Sequence, residues 1–256
     1  MKQKPITLTT DFGDQFAVSQ LHAVLASLGF AGKLIENHSV TPFSILEGAF
    51  EIGATAHYSP PGAIHVGVID PDVGNNRRAV IIKTKHSFLV GPDNGILYPT
   101  ASREGIVQAW RLKGTHISDH ISNTFHGRDI FIKAAALLSR HRHPASFGST
   151  TISTSTLKKL IFKDGQVVHI DHYGNIKIHW SDSIRSKYCT ITTKAGVFTV
   201  PFVKTFSDVP PGKALTLLGS SGTLELALNL ARADEFFNVK LGDILKVKYS
   251  QKNNYE

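Results

Sequence analysis

A single cysteine, Cys189, in 256 residues excludes an internal disulfide and a thiolate metal cluster. No apolar run approaches the roughly 18 residues of a membrane-spanning helix. The Met1-Lys-Gln-Lys start leads straight into a strand and not into a cleavable apolar region, which points to a cytoplasmic protein. The chain shows no internal repeat, no phosphate-cradling glycine loop and no dinucleotide fingerprint. Acidic residues are the scarcer charge, 20 against 28 Lys and Arg, for a net charge of +8. Such an excess raises nucleic acid or another anionic surface as a partner. The basic residues are scattered singly or in short pairs such as Lys158-Lys159, with no dense stripe and no interleaved aromatics, which argues against nucleic acid.

What is present is ample apolar content for two modest domains. Short apolar strands alternate with helical stretches in the first half, the pattern of an α/β layer with a largely parallel sheet. Strands are expected at 5–9, 34–36, 63–69, 80–83 and 88–90, and helices at 16–28 and 44–57. The second helix is begun by Thr41-Pro42 and a Ser44/Glu47 capping box. A further helix from Asp129 to Arg140 closes this domain, and the Arg140-His-Arg-His143 cluster forms its solvated end. Residues 1–145 are therefore expected to form the N-terminal α/β domain, and the Ser- and Thr-rich stretch 146–163 a linker. Residues 164–256 read as short strands with turn signals, a smaller antiparallel β-barrel or a sandwich.

Two carboxylates directly follow apolar strands: Asp11 in Thr9-Thr10-Asp11-Phe12-Gly13 and Asp70 in Val68-Ile69-Asp70-Pro71. Ligands bind beyond the carboxyl ends of such strands, where a carboxylate can accept hydrogen bonds from a ribose diol. A helix cap for Asp11 and a turn opener for Asp70 are the structural alternatives. Seven residues after Asp70, Arg77 and Arg78 offer two guanidinium groups, of which only one can point inward if a strand with alternating faces follows. His126 sits beside Gly127, which permits close approach to a ligand, just before a helix. His116, His120, His126 and Asp129 are an alternative metal set, if that segment is helical.

Taken together, the motifs Ile6-Thr-Leu-Thr-Thr-Asp-Phe-Gly13, His38-Ser-Val-Thr-Pro-Phe43, Gly62-Ala-Ile-His-Val-Gly-Val-Ile-Asp-Pro71, Gly91-Pro-Asp-Asn-Gly95 and Thr124-Phe-His-Gly-Arg-Asp129 carry a family likeness. Ile170-Asp-His-Tyr-Gly-Asn175 and Gly219-Ser-Ser-Gly-Thr-Leu-Glu225 continue it through the second half. The chain resembles the S-adenosylmethionine hydroxide adenosyltransferases, relatives of the S-adenosylmethionine-dependent fluorinase and chlorinase. The resemblance implies hydrolysis of S-adenosylmethionine to adenosine and methionine, without a metal or cofactor. It also implies an Asp/Arg/His triad at Asp70, Arg77 and His126. Asp70 stands where the halogenating branch carries a tyrosine, so water and not halide is the implied nucleophile.

By the same resemblance Asp11 holds the ribose hydroxyls and Phe43 walls the sugar. Asp171 meets the methionine ammonium, Tyr173 stacks near adenine and Asn175 reads its edge, while Ser220, Ser221 and Glu225 complete the amino-acid and adenine end. These later residues come from a neighbouring subunit, so that the implied assembly is a homotrimer with its sites at subunit interfaces. Without the likeness, Tyr-Gly-Asn reads as a hairpin turn. Two departures stand out: the Gly13-Asp14-Gln15-Phe16 loop is one residue short, and Asp72 replaces a common glycine in the turn that carries Asp70. In the implied chemistry Arg77 stabilises negative charge developing on the attacking oxygen, while Asp70 and His126 orient the water and accept or relay its proton. A division in which His126 only fixes the geometry fits equally well. A non-catalytic nucleoside-binding module and a halide transferase remain the other readings.

Overall fold

Every residue of β1 (Ile6–Thr10) and of β3 (Ile64–Val68) is buried, as expected of parallel strands covered on both faces. The computed structural model describes residues 2–13, 15–183 and 186–249, divided into two compact units between Ile161 and Phe162. Asp14, in the shortened loop noted above, lies outside the described residues.

In the first unit β1 is followed by α1 (Gln15–Ser27), β2 (Leu34–Asn37), α2 (Ile45–Tyr58) and β3. Then come β4 (Ala79–Thr84), β5 (Phe88–Pro92), α3 (Tyr98–Glu104), β6 (Ile106–Leu112), α4 (Ile132–Ser139) and β7 (Thr150–Ile152). These strands make a seven-stranded sheet in the order β2-β1-β3-β5-β4-β6-β7. The β2-β1-β3-β5 part is parallel, and β4, β6 and β7 extend it antiparallel. Ile6, Leu8, Ile64, Val66 and Val68 share one face with Leu21 and Leu25 of α1 and with Ala134, Ala135 and Leu138 of α4. On the opposite face, a Cβ added to Gly67 would stand 2.6 Å from Ile52 Cδ1, so the missing side chain is what lets α2 lie this close to β3.

Covering opposite faces with α1 and α2 fixes where the chain reverses. From β1 it moves outward to β2 through α1, then returns past β1 to β3 through α2. The crevice between the carboxyl ends of β1 and β3 is thus a topological switch point, the place where open α/β sheets bind ligands. The start of α2 is half the expected capping box: the Ser44 hydroxyl accepts the Glu47 N–H at 3.2 Å, but the Glu47 carboxylate accepts the Thr41 N–H at 2.8 Å. Within the Ser- and Thr-rich stretch 146–163, β7 pairs with β6 and forms the edge of the sheet.

The second unit holds β8 (Val167–Ile170), β9 (Ile176–Ile178), β10 (Tyr188–Thr193), β11 (Gly196–Pro201), β12 (Ala214–Leu218), β13 (Leu224–Leu228), the short α5 (Ala233–Phe236) and β14 (Lys246–Tyr249). Two antiparallel sheets form, β12-β13-β9-β8 and β11-β10-β14. They share a core that includes Ile176, Leu224, Leu226, Cys189, Ile191 and Phe237. The strands are antiparallel as expected, but among the described residues they do not close into a barrel. The isolated bridges Gln166–Ile244 and Phe202–Thr216 stand where continuous ladders would be needed. Burial pushes the Cys189 thiol up to about 11, which keeps it inert.

Candidate active site

Beyond the ends of β1 and β3 lies a cleft of about 350 Å³ lined by Asp11, Phe12, Phe43, Asp70, Phe125 and His126, among others. Asp70 arrives there through a tight turn. Its carbonyl accepts the Val73 N–H at 3.1 Å, with Pro71 and Asp72 at the corner. Asp72 is not among the residues with positive φ, so this turn does not demand the glycine that the likeness led one to expect. Asn94 braces the approach to the site by donating its amide to the Ile69 carbonyl at 2.8 Å, while its own side-chain oxygen accepts the Ile96 N–H. That gives the Gly91–Gly95 motif a physical task at the strand end.

The chain returns at Arg77, whose Nε donates to both Asp70 carboxylate oxygens at 2.9 Å and whose Nη2 donates to Oδ2 as well. The same Nη2 lies 2.7 Å from His126 Nδ1. Arg78 points elsewhere and forks onto Asp93 and Thr156, so that one guanidinium backs the cleft residues Asp70 and His126 and the next is structural. The Asp70 and Arg77 side chains are only 6% and 9% exposed, and Arg77 lies over the face of the buried Phe131 at 5.2 Å.

His126 is delivered by an irregular helix start. Gly127–Phe131 is a π turn in which the Ile132 N–H donates to the Gly127 carbonyl, and it runs on into α4. A Cβ on Gly127 would come within 2.9 Å of Val68 Cγ1, so only glycine lets this turn rest against the end of β3. Arg has donors and no acceptor, so His126 Nδ1 must accept from Arg77, and the neutral ring carries its proton on Nε2. Burial, and then the Arg77 charge, hold the His126 pKa below the ordinary histidine value, against the pull of Asp70 and Asp129. The imidazole is therefore a neutral Nε2–H donor at neutral pH. Asp129 is occupied elsewhere, accepting from Arg128 Nε and Nη2 and from the Ser122 N–H.

Asp11 does not act as a simple cap. Its Oδ2 accepts the Phe43 N–H at 2.8 Å, and this fixes a segment in which Phe43 has φ of 66° and is 70% exposed. A non-glycine residue held there is strained backbone at the rim of a cleft. His116, His120 and Asp129 do not gather their donor atoms with those of His126 among the described residues. His116 ends a single 3₁₀ turn, not an α-helix with His at i and i+4.

In the second unit the predicted residues fall into two groups. Tyr173 and Asn175 line a cleft of about 640 Å³ together with Phe206, Leu230, Ala231 and Arg232. Asp171, at the corner of the β8–β9 hairpin, has Oδ1 occupied by the N–H groups of Tyr173 and Asn175, both at 3.0 Å. Its Oδ2 accepts the Asn175 amide at 3.0 Å and lies 3.4 Å from Lys177 Nζ. Burial works against the ionised carboxyl, but the Asn175 hydrogen bonds and the Lys177 ammonium prevail and hold its pKa low. Lys177 also donates to the buried Glu225 at 2.9 Å, a link absent from the site expected from sequence. Spacing could have shown it, because Asn175 and Lys177 are two apart and side chains at i and i+2 share a face. Ser220 and Ser221 lie exposed in the turn before β13.

Comparison with known proteins agrees over nearly the whole length. The family model described as the SAM hydroxide adenosyltransferase N-terminal domain matches residues 6–148, and that of the C-terminal domain matches residues 165–246. The chain is 35% identical over 259 residues to the (R)-S-adenosyl-L-methionine hydrolase of Salinispora tropica, spanning 94% of this chain and 97% of that protein. It is 25% identical to a fluorinase of Nocardia brasiliensis over 82% of this chain and 85% of that one. Among solved structures, an uncharacterized conserved protein from Thermotoga maritima superposes with a TM-score of 0.86 at 26% identity, covering 95% of this chain and 100% of the other.

Proposed function

The chain belongs to the SAM hydroxide adenosyltransferase family, and from that premise we propose that it hydrolyses S-adenosyl-L-methionine to adenosine and L-methionine. The observation that carries this reading is the hydrogen-bonded cluster of Asp70, Arg77 and His126 at the end of β3, of which Asp70 and His126 line one cleft with Asp11.

A water oxygen bonds to ribose C5′ as the C5′–S bond breaks. The bonding pair leaves on sulfur, which turns the sulfonium into the neutral thioether of methionine, and the water's proton passes to Asp70. The neutral His126 Nε2–H holds the water oxygen in line, because its other nitrogen is committed to Arg77. Arg77 offsets charge developing on the oxygen, its own position fixed by Asp70 and Phe131. A low-exposure site favours the step, since opposite charges are lost in the transition state and the water-excluded wall strengthens every remaining interaction. Fixing the water against C5′ contributes on the order of 7 to 11 kcal/mol of the barrier reduction.

Asp11 keeps Oδ1 for the ribose hydroxyls while Oδ2 holds Phe43, which walls the sugar. Tyr173 and Asn175 take the adenine. Asp171 and Glu225, bridged by Lys177, meet the amino-acid end together with Ser220 and Ser221. These residues are supplied by a neighbouring copy in a cytoplasmic homotrimer, and no metal or cofactor takes part.

Chromatography of adenosine and methionine released from S-adenosylmethionine tests the activity. Wild type should yield both in equal amounts with chelator present, and Asp70→Asn should yield almost none while still binding the substrate. Binding without products in the wild type would overturn the reading. Mixing Asp70→Asn with Asn175→Ala subunits tests the shared site: with substrate far below KM, about a quarter of wild-type activity should appear when subunits exchange at random, against about a tenth for Asn175→Ala alone.

A further inference from the structure

One basic cluster has no part in the chemistry above. Lys4, just before β1, Lys83, near the end of β4, and the consecutive His141, Arg142 and His143 after α4 converge on a cleft of about 200 Å³ floored by Trp110. They come from separate stretches of chain. Lys4 is pinned at its backbone by the Ser139 carbonyl, 2.9 Å away, and its ammonium lies 4.9 Å from the Phe88 ring centre. His141 has φ of 61°, which turns the tract after α4 back toward the start of the chain, where its ring meets the Lys2 carbonyl. His143 accepts the Ala145 N–H at Nδ1, which leaves Nε2–H as a donor, and its ring packs edge-on against Trp110. Arg140, by contrast, leaves the cluster to reach the Leu28 carbonyl.

No carboxylate lines this cleft, and none of the five cationic or imidazole side chains has an acidic partner among the described residues. Gathering like charges raises the free energy of the empty site. Consistent with that, burial and the neighbouring Lys83 depress the Lys4 pKa. The cleft lies at the amino ends of the parallel strands, where Ile6, Ile64 and Phe88 stand in register, whereas Asp11 and Asp70 follow the carboxyl ends of β1 and β3. Its volume is below the roughly 300–1,000 Å³ of pockets that enclose a whole cofactor. We propose that this cleft binds a compact phosphate-type polyanion at a site separate from the Asp70–Arg77–His126 cluster. The tract His141–His143 is then the rim of a binding site and not merely a solvated helix end.

Calorimetric titration of the full-length protein with inorganic diphosphate at low salt tests this. Wild type should bind, and both Lys83→Gln and the Lys4→Gln/Lys83→Gln pair should weaken binding, the pair by roughly tenfold or more. Saturating adenosine should change nothing, and the exposed pair Lys213→Gln/Lys240→Gln, which removes equal charge elsewhere, should leave affinity unaltered. Absence of binding, equal weakening in the two double variants, or displacement by adenosine would each overturn the proposal.

Discussion

In the first unit Asp70 and Arg77 from the β3–β4 connection and His126 from ahead of α4 satisfy one another by hydrogen bonds, and Arg77 lies over the buried Phe131. In the second, Asp171, Asn175 and Lys177 come from a single hairpin, and Tyr173 beside them stands 75% exposed. The first pattern immobilises charged groups and fixes a tautomer, as bond-breaking chemistry requires. The second presents an adaptable aromatic surface and a polar edge, suited to selecting a ligand. The contrast teaches that the two units should respond differently to mutation, the first in turnover and the second in affinity or stability.

The largest test is Asp70→Asn, which keeps the shape of the side chain and removes its charge. Turnover should fall roughly a thousandfold or more, about 4 kcal/mol, with KM little changed. A change confined to KM would erase the distinction between the units. Next in size is Lys177→Met, which leaves Asp171 and the buried Glu225 without their shared cation. Denaturant melting should show a loss of roughly 3 kcal/mol, and adding Glu225→Gln should recover part of it.

Acid should find the first unit through His65, which is 1% exposed, bonds the Thr7 hydroxyl at Nδ1, and has its pKa pushed down to about 4 by burial. The unfolded chain therefore binds more protons than the folded one between these values. Stability is full above the ordinary histidine pKa and declines as pH falls toward the depressed one. Urea midpoints compared at about pH 7 and about pH 4.5 should reveal a loss of roughly 2 kcal/mol, absent in His65→Gln. Smallest is Asn175→Ala, expected to raise KM about tenfold, near 1.4 kcal/mol, with turnover nearly constant. A fall in turnover instead would give the second unit a share in the chemistry.

Much of this architecture was readable before any coordinates. β1 and β3 are short β-branched-rich stretches, each followed by an aspartate, so the placement of Asp11 and Asp70 at strand ends follows from order along the chain. Alternation allowed one of Arg77 and Arg78 to point inward, and the resemblance named Arg77; the hydrogen bonds of Arg77 to Asp70 and of Arg78 to Asp93 agree with that. β6 was hidden because Ile106–Leu112 mixes exposed and buried positions without clean alternation, and α3 because it is seven residues long and begins with Tyr98-Pro99. β13 carries Glu225 within an apolar strand, a buried charge that Lys177 reaches from β9. Open sheets in place of a barrel depend on which edges pair across the unit, a tertiary matter that local pattern does not encode. The bond between Arg77 and His126 spans 49 residues, and residue types alone left each of them a structural alternative.

The widened turn at Gly127–Phe131 has a consequence for how the protein can change. A helix that takes one residue more than the regular count can lose that residue by tightening, without unfolding. Such a deletion would swing everything ahead of it by about 100° around the axis, carrying the imidazole away from its guanidinium. Chain length, as much as side-chain identity, guards this spot, and a shortened helix entrance would part His126 from Arg77.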